Sequence, residues 1–446
     1  MKGHRVNIKD FYRITLPGSL LLVISGIFFS IPANADASAA DNDPVATDQS
    51  LWTALSGGKF DFSAEWRYEH VDDNVALDQA NASLLRTTLG YSTGQFFSFD
   101  GRIQVQDVRA IGPDDYNDAT GRPGAKTSYA VVADPEDTDF IEGYIGFNGI
   151  PDTVIRAGRQ LVTYRDAPFH RFMGTILWRR NWQNHDAITV MNKSLPNTTL
   201  QYAYSWNINR IFTDRAVGAR AEFDSNSHLF NAQYTGFSLA KLEGYTYLLD
   251  FDNAAAFSTD TFGIRASGAY PATQTFKLLY AGEYAYQSDA ANNPADYDVD
   301  YLLAEIGGNL SFKGPVQAFI LKFSYEQLEG DGSNAFNTIL GTNHAYQGWA
   351  DRFLITPADG IEDYYVTAII KAFGAQFIAS YHDLNSDNLD YDYGTEIDLQ
   401  ATMTFKEHYS VGIKYAYYDA DVNANNAAGP LANDTSKFWV WAGFKF

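Results

Sequence analysis

The sequence predicts an all-β fold: a transmembrane antiparallel β-barrel of about 18 strands, after a cleaved N-terminal signal peptide. Three observations point to it. An export signal opens the chain, side chains alternate apolar and polar along many short segments, and the connections alternate between short turns and long loops. The 446 residues include 31 Phe, 29 Tyr, 35 Gly and 4 Met, a balance that suits a large sheet better than a helical core.

Lys2, Arg5, Lys9 and Arg13 form a positive start, and Leu20 to Ile31 is a short apolar run. Pro32 ends the run, and Ala33-Asn34-Ala35 satisfies the small-x-small cleavage rule. A spanning helix needs about 20 apolar residues, so this segment is an address and not an anchor. The domain reading is a signal peptide over 1–35, a short periplasmic segment over 36–56 and a barrel over 57–446.

The alternation is sharpest late in the chain. Ile397, Leu399, Ala401, Met403 and Phe405 share one face of a strand, while Glu396, Asp398, Gln400, Thr402 and Thr404 share the other. The terminal segment 437–446 places Phe438, Val440, Ala442, Phe444 and Phe446 on one face. Segments of this kind are centred near residues 65, 88, 102, 144, 157, 189, 203, 231, 246, 264, 281, 306, 321, 367, 379, 399, 413 and 442. Those near 189 and 231 read as short. Turns such as 148–152, 193–197, 313–315, 373–374 and 406–408 are brief, whereas 109–138, 164–185, 209–226, 329–361 and 420–436 are long and mostly rich in Asp, Asn and Gly. Short turns at one end and long loops at the other describe an outer-membrane barrel with both termini in the periplasm. A soluble sandwich of that many strands would be unusually large. A terminal Phe446 is also what the barrel-assembly machinery of Gram-negative bacteria recognises, so the expected location is their outer membrane, in contact with lipid and lipopolysaccharide.

A barrel this wide has a lumen that wall side chains cannot fill. Loops 109–138 and 329–361 are long enough to fold into it. An outward Arg in mid-membrane costs roughly 2–4 kcal/mol, so strand parity sorts the charges. Arg67, Arg86, Arg102, Arg156 and Arg265 lie opposite the apolar faces of their strands, as do Lys371, Lys414 and Lys445. Glu65, Glu142, Glu283, Glu305, Glu396 and Asp398 also point inward, giving a lumen of mixed sign. Arg159 has outward parity, so either a bulge re-aims it or it sits near the rim. The densest basic run is Arg156, Arg159, Arg165, Arg171, Arg179 and Arg180, opposed only by Asp166. Guanidinium groups suit bidentate carboxylate recognition, which makes this run the candidate solute site. Structural pairing, or contact with lipopolysaccharide phosphates, is the plainer role for the same charges.

Two strings sharpen the reading. Ile155-Arg156-Ala157-Gly158-Arg159-Gln160, then Arg171-Phe172-Met173-Gly174, then Trp178-Arg179-Arg180-Asn181-Trp182-Gln183-Asn184-His185-Asp186 resemble the alginate-export outer-membrane porin family, as does Thr342-Asn343-His344-Ala345-Tyr346-Gln347-Gly348-Trp349-Ala350-Asp351. The resemblance implies a monomeric barrel that passes anionic uronate polysaccharides, or smaller anionic and sugar-derived solutes, through a constriction built from Arg156, Arg159, Arg165, Arg171, Arg179 and Arg180. The inward acids depart from a uniformly basic pore.

Other functions fit poorly. The net charge of −22 leaves no basic face for nucleic acid. Without cysteine there is no disulfide frame, redox motif or cysteine zinc site. The eight His are scattered, and neither a nucleophile elbow nor a phosphate-binding loop occurs, so no enzyme is expected. No cofactor is expected. The acids Asp289, Asp296, Asp298 and Asp300, and likewise Asp383, Asp387, Asp390 and Asp392, read as solvated loop charge, with Ca²⁺ binding the sharper alternative. A passive anion channel is thus the leading expectation. A general small-solute porin and a loop-occluded structural or adhesive barrel are the alternatives.

Overall fold

The computed structural model describes residues 50–74, 77–165, 171–426 and 429–446. The signal peptide and cleavage site expected over 1–35, most of the 36–56 segment, Asp166 and His170 lie outside the described residues. A short helix, α1 (Leu51–Ser56), precedes the first strand. The strands are β1 (Lys59–Asp72), β2 (Ala80–Ser92), β3 (Phe99–Asp115), β4 (Asp137–Phe147), β5 (Thr153–Gln160) and β6 (Asn184–Asn192). They continue as β7 (Thr198–Asn209), β8 (Glu222–Tyr234), β9 (Lys241–Leu249), β10 (Thr259–Pro271), β11 (Phe276–Asp289) and β12 (Asp298–Ser311). The last six are β13 (Val316–Leu328), β14 (Ile361–Ala372), β15 (Ala375–Asn385), β16 (Asp392–Phe405), β17 (Tyr409–Ala420) and β18 (Thr435–Lys445).

Each strand pairs with its successor in an 18-stranded sheet, and β1 pairs with β18 to close it. The closure runs to the last residue: Phe62 and Phe446 exchange both main-chain hydrogen bonds, each 3.0 Å. Closing the sheet leaves no unpaired edge, which is what a strand-built structure needs inside hydrocarbon.

The alternation read from sequence becomes an outer apolar face. Ile397 and Leu399 are 45% and 46% exposed, while their neighbours Glu396 and Asp398 are fully buried on the inside. Ile264, Ile306, Phe323, Phe377 and Ile413 continue the belt around the barrel. Such a belt on a closed barrel places the chain in the outer membrane of a Gram-negative cell. All 18 expected centres fall within strands. One detail differs: β8 has 13 residues and is not short, whereas β6 has nine. The outward residues of β8 change from Phe230 and Ala232 to Asp224 and Asn226, so the apolar rhythm stops where the strand leaves the bilayer. The belt predicts that Leu399→Arg costs about 2–4 kcal/mol of folding stability if it sits near mid-membrane. Inward Thr402→Arg should cost far less; urea titration of folding into lipid vesicles measures both.

Three long connections turn inward: residues 116–136, the described parts of 161–183 (161–165 and 171–183) and 329–360. Phe172, Trp178, Phe336, Trp349 and Phe353 from two of them join inward Tyr245, Tyr301, Tyr393, Tyr418 and Trp439 in one apolar cluster. The third contributes Tyr116, Ala130 and Val132 to a smaller cluster against Val71, Leu84 and Val108. Each large apolar side chain buried contributes about 1.5–3 kcal/mol, so the loops form a packed plug with a fixed structure. Met173 and Leu340 bridge the two larger loops as neighbouring backbones.

Candidate functional site

The plug is where the arginines converge. Arg171 lies on loop 161–183 and is 1% exposed. Its Nε donates to Glu326 on β13 (2.7 Å), its Nη1 to Asn343 (2.7 Å) and its Nη2 to Gln347 (3.0 Å). Glu326 also accepts from the Tyr301 hydroxyl at 2.5 Å and from Gln347 at 2.6 Å. Burial alone would lower the Arg171 pKa, but the Glu326 carboxylate holds it above the ordinary guanidinium value. One side chain thus ties both loops to the wall.

Arg179 is equally enclosed. It reaches Asp351 at 2.8 Å, Glu69 at 3.5 Å and Asp134 at 3.6 Å, so it joins all three inward loops to β1. Asp351 in turn accepts from Lys437 on β18 at 2.7 Å and from His344 at 2.5 Å. The other ring nitrogen of His344 accepts from Lys414 at 2.7 Å. The Lys414 ammonium sits 3.9 Å from the Trp178 ring, 3.8 Å from Trp349 and 5.3 Å from Trp439. Tryptophan faces attract a desolvated cation, and two loops and β18 supply this cage around the β17 lysine. Gly348, at φ +89, lets the chain turn against β16; a Cβ there would stand 2.3 Å from the Glu396 carboxylate. The next amides, of Trp349 and Ala350, donate to Asp398 (3.2 Å) and Glu396 (2.6 Å).

A different arrangement lies below the plug. Arg180 pairs with Glu65 at 2.6 Å, and Arg67 reaches the same carboxylate at 3.4 Å. Arg67 also donates to the Trp178 carbonyl at 2.5 Å and lies 4.1 Å from its ring. Arg86 stacks on Trp182 at 3.6 Å and donates to Gln106. Its contacts among the described residues include no carboxylate within ion-pair distance. A cavity lined by Glu65, Arg86, Arg180 and Trp182 runs from this cluster toward Ser410, His408 and Lys445 at the short-turn end. The Nε of Arg180 is buried with no hydrogen-bond partner among the described residues.

The remaining candidates are dispersed. Arg165 and Arg265 share Glu283 at 2.8 and 2.6 Å, and Arg165 also holds Glu243 at 2.6 Å. Arg102 is clamped by Glu142 at 2.5 Å and Asp61 at 2.7 Å. Arg156 is half-buried over the Tyr144 ring at 4.8 Å, and among the described residues it has no ion-pair partner. Arg159 is placed at the rim, one residue from the end of β5, paired with Asp186 at 2.8 Å and Asp139 at 3.5 Å. Two corrections to the sequence reading follow. Arg159 keeps its outward parity and does not line the lumen, because Gln160 takes the inward place beside it. Arg171 and Arg179 point into the plug but are sealed by their carboxylates, so no solute touches them while the loops are seated.

Sequence reasoning missed Glu326, Asp363 and His382, where His382 donates to Asp363 at 2.9 Å, and the latch of His344 with Asp351. Strand parity around residue 321 would have found Glu326. The string Thr342 to Asp351 carries only a family likeness, and nothing in it announces a cation cage. Two of the loop acids hold main-chain amides: Asp289 accepts from the Tyr297 amide, and Asp387 from Gln327 and the Gly330 amide. Among the described residues, no three His, Asp or Glu side chains converge as a metal site would require.

No protein-family model and no curated protein sequence matches the chain. Solved structures do match its shape. OccD3 (OpdP) of Pseudomonas aeruginosa superposes with a TM-score of 0.65 at 15% identity, over 88% of this chain and 92% of that one. The fold is that of an outer-membrane porin. OccAB2 of Acinetobacter baumannii gives 0.66 at 15% identity, covering 88% and 99%, and OpdK of Pseudomonas aeruginosa, crystallised with vanillate, gives 0.66 at 11% identity, covering 88% and 99%. At such identities the likeness is one of fold.

Proposed function

We propose that this porin-type barrel is a passive channel for anionic, carboxylate-bearing solutes of the sugar-acid class, uronate oligo- or polysaccharides of the alginate type among them, with its inward loops controlling access. The observation that carries this reading is the cluster below the plug. Arg67, Arg86 and Arg180 gather around Glu65; among the described residues Arg86 has no carboxylate in ion-pair range, and the buried Nε of Arg180 has no hydrogen-bond partner. A fixed surplus of guanidinium groups replaces part of the hydration of a passing carboxylate, and that is how charged pores select. Trp182 adds a flat apolar face beside these charges, suited to the ring of a sugar or an aromatic acid. The vanillate held by OpdK is itself an aromatic carboxylate.

Purified protein in planar bilayers under a salt gradient should give a reversal potential of the anion-selective sign. Arg86→Gln combined with Arg180→Gln should move it toward cation selectivity, and oligouronates should block wild type more strongly than the double variant. A cation-selective wild type, or a double variant with unchanged selectivity, would sink the assignment.

The filled lumen favours a second reading, a loop-occluded structural or adhesive barrel. It predicts no discrete conductance steps at any voltage, so the same recordings separate the two.

A further inference from the structure

The helix α1 sits on the outside of the barrel and not beneath its lumen. Tyr91 belongs to the outward set of β2, with Leu89 two residues before it at 56% exposure. The Tyr91 hydroxyl donates to the carbonyl of Leu55. The amide of Gly94 donates to the carbonyl of Ala54 at 2.9 Å, and Ala54 is the buried residue of the helix. Gly58 passes directly against the Tyr91 ring, where a Cβ would collide. Phe60, 69% exposed, lies 4.7 Å from Tyr91 by ring centres. The helix is therefore pinned to the lipid side of the wall at the end that carries the short turns.

Among the described residues its other face has no cover. Leu51 is 55% exposed, Trp52 76% and Leu55 44%. Positions 51, 52 and 55 fall together on a helix surface. No residue of the helix is charged, and Lys59 follows it on the exposed side. The apolar face continues into Phe60 and, across the Gly94 turn, into Phe97 (71%) and Phe99 (47%), the lower margin of the lipid belt. Tryptophan with aliphatic neighbours at such a margin matches the boundary between headgroups and acyl chains.

We propose that α1 is an interfacial anchor, with Leu51, Trp52 and Leu55 inserted into the periplasmic leaflet of the outer membrane. Continuity with the belt selects lipid as the occupant.

The chain has no cysteine, so single labels are clean. The folded full barrel carrying Trp52→Cys, or separately Leu55→Cys, is labelled with an environment-sensitive fluorophore and placed in vesicles of phosphatidylethanolamine and phosphatidylglycerol. Lys193→Cys in a short turn serves as the aqueous reference and Leu399→Cys as the belt reference. The expected result is blue-shifted emission at 52 and 55, quenched by lipids bearing a nitroxide near the headgroup and shielded from aqueous iodide. Iodide quenching equal to the Lys193→Cys reference, with no effect of the lipid nitroxide, overturns the proposal. Because only lipid is present, that outcome would leave the face for a periplasmic protein.

Discussion

Arg171→Met is expected to release the plug. The variant leaves Glu326 buried without its cation, and breaking a buried ion pair from one side costs about 3–5 kcal/mol. Here the loss falls on loop docking, because the lost hydrogen bonds join Asn343 and Gln347 of one loop to the loop that carries residue 171. The barrel wall keeps its ladder of main-chain bonds and should stay folded. The change should therefore appear as larger, noisier single-channel steps and as faster proteolysis of residues 161–183 and 329–360. Adding Glu326→Leu should recover part of the seated state, since two apolar groups replace the pair without a stranded charge. Unaltered conductance and protease resistance in Arg171→Met would show that the hydrophobic cluster alone seats the loops.

The second large effect is acid release at His344. Burial, with the Lys414 charge beside it, pushes this imidazole down to about 3 from 6.5. The sign follows from which state binds the proton. A released loop carries an ordinary His that protonates near 6.5, while the seated loop keeps it neutral to about 3. Seating is thus fully supported above about 6.5 and weakens as pH falls through that window, by up to about 1.4 kcal/mol, or tenfold in the equilibrium, per pH unit. Asp351 acts in the same direction: burial would raise its carboxyl, but Lys437, His344 and Arg179 hold it well below 3.8, so its contribution is lost only at stronger acid. Open probability should climb between pH 6.5 and pH 4. His344→Gln can keep both hydrogen bonds but cannot titrate, and its open probability should stay nearly flat over that range. An equally steep response in the Gln variant would move the switch elsewhere.

Much of the barrel was legible because lipid enforces a strict code. Every second residue of a crossing segment must be apolar, so the faces of β16 and β18 could be assigned from sequence alone. The code stops where water begins, which is why the polar upper half of β8 and the extension of β3 to Asp115 escaped notice. The basic run from 156 to 180 was visible as composition, but its meaning was not. Arg171 meets Glu326 across 155 positions and Arg179 meets Asp351 across 172. No local pattern relates such residues; only closure of the cylinder and entry of the loops bring them together. The excess at Arg86 and Arg180 is visible only after those pairings are subtracted.

The bond pair between Phe62 and Phe446 has a consequence for biogenesis. The seam is made by the first and last strands of the wall, so β1 must wait, unzipped, until β18 has been delivered. Removing residues 443–446 would leave bare main-chain groups along that join.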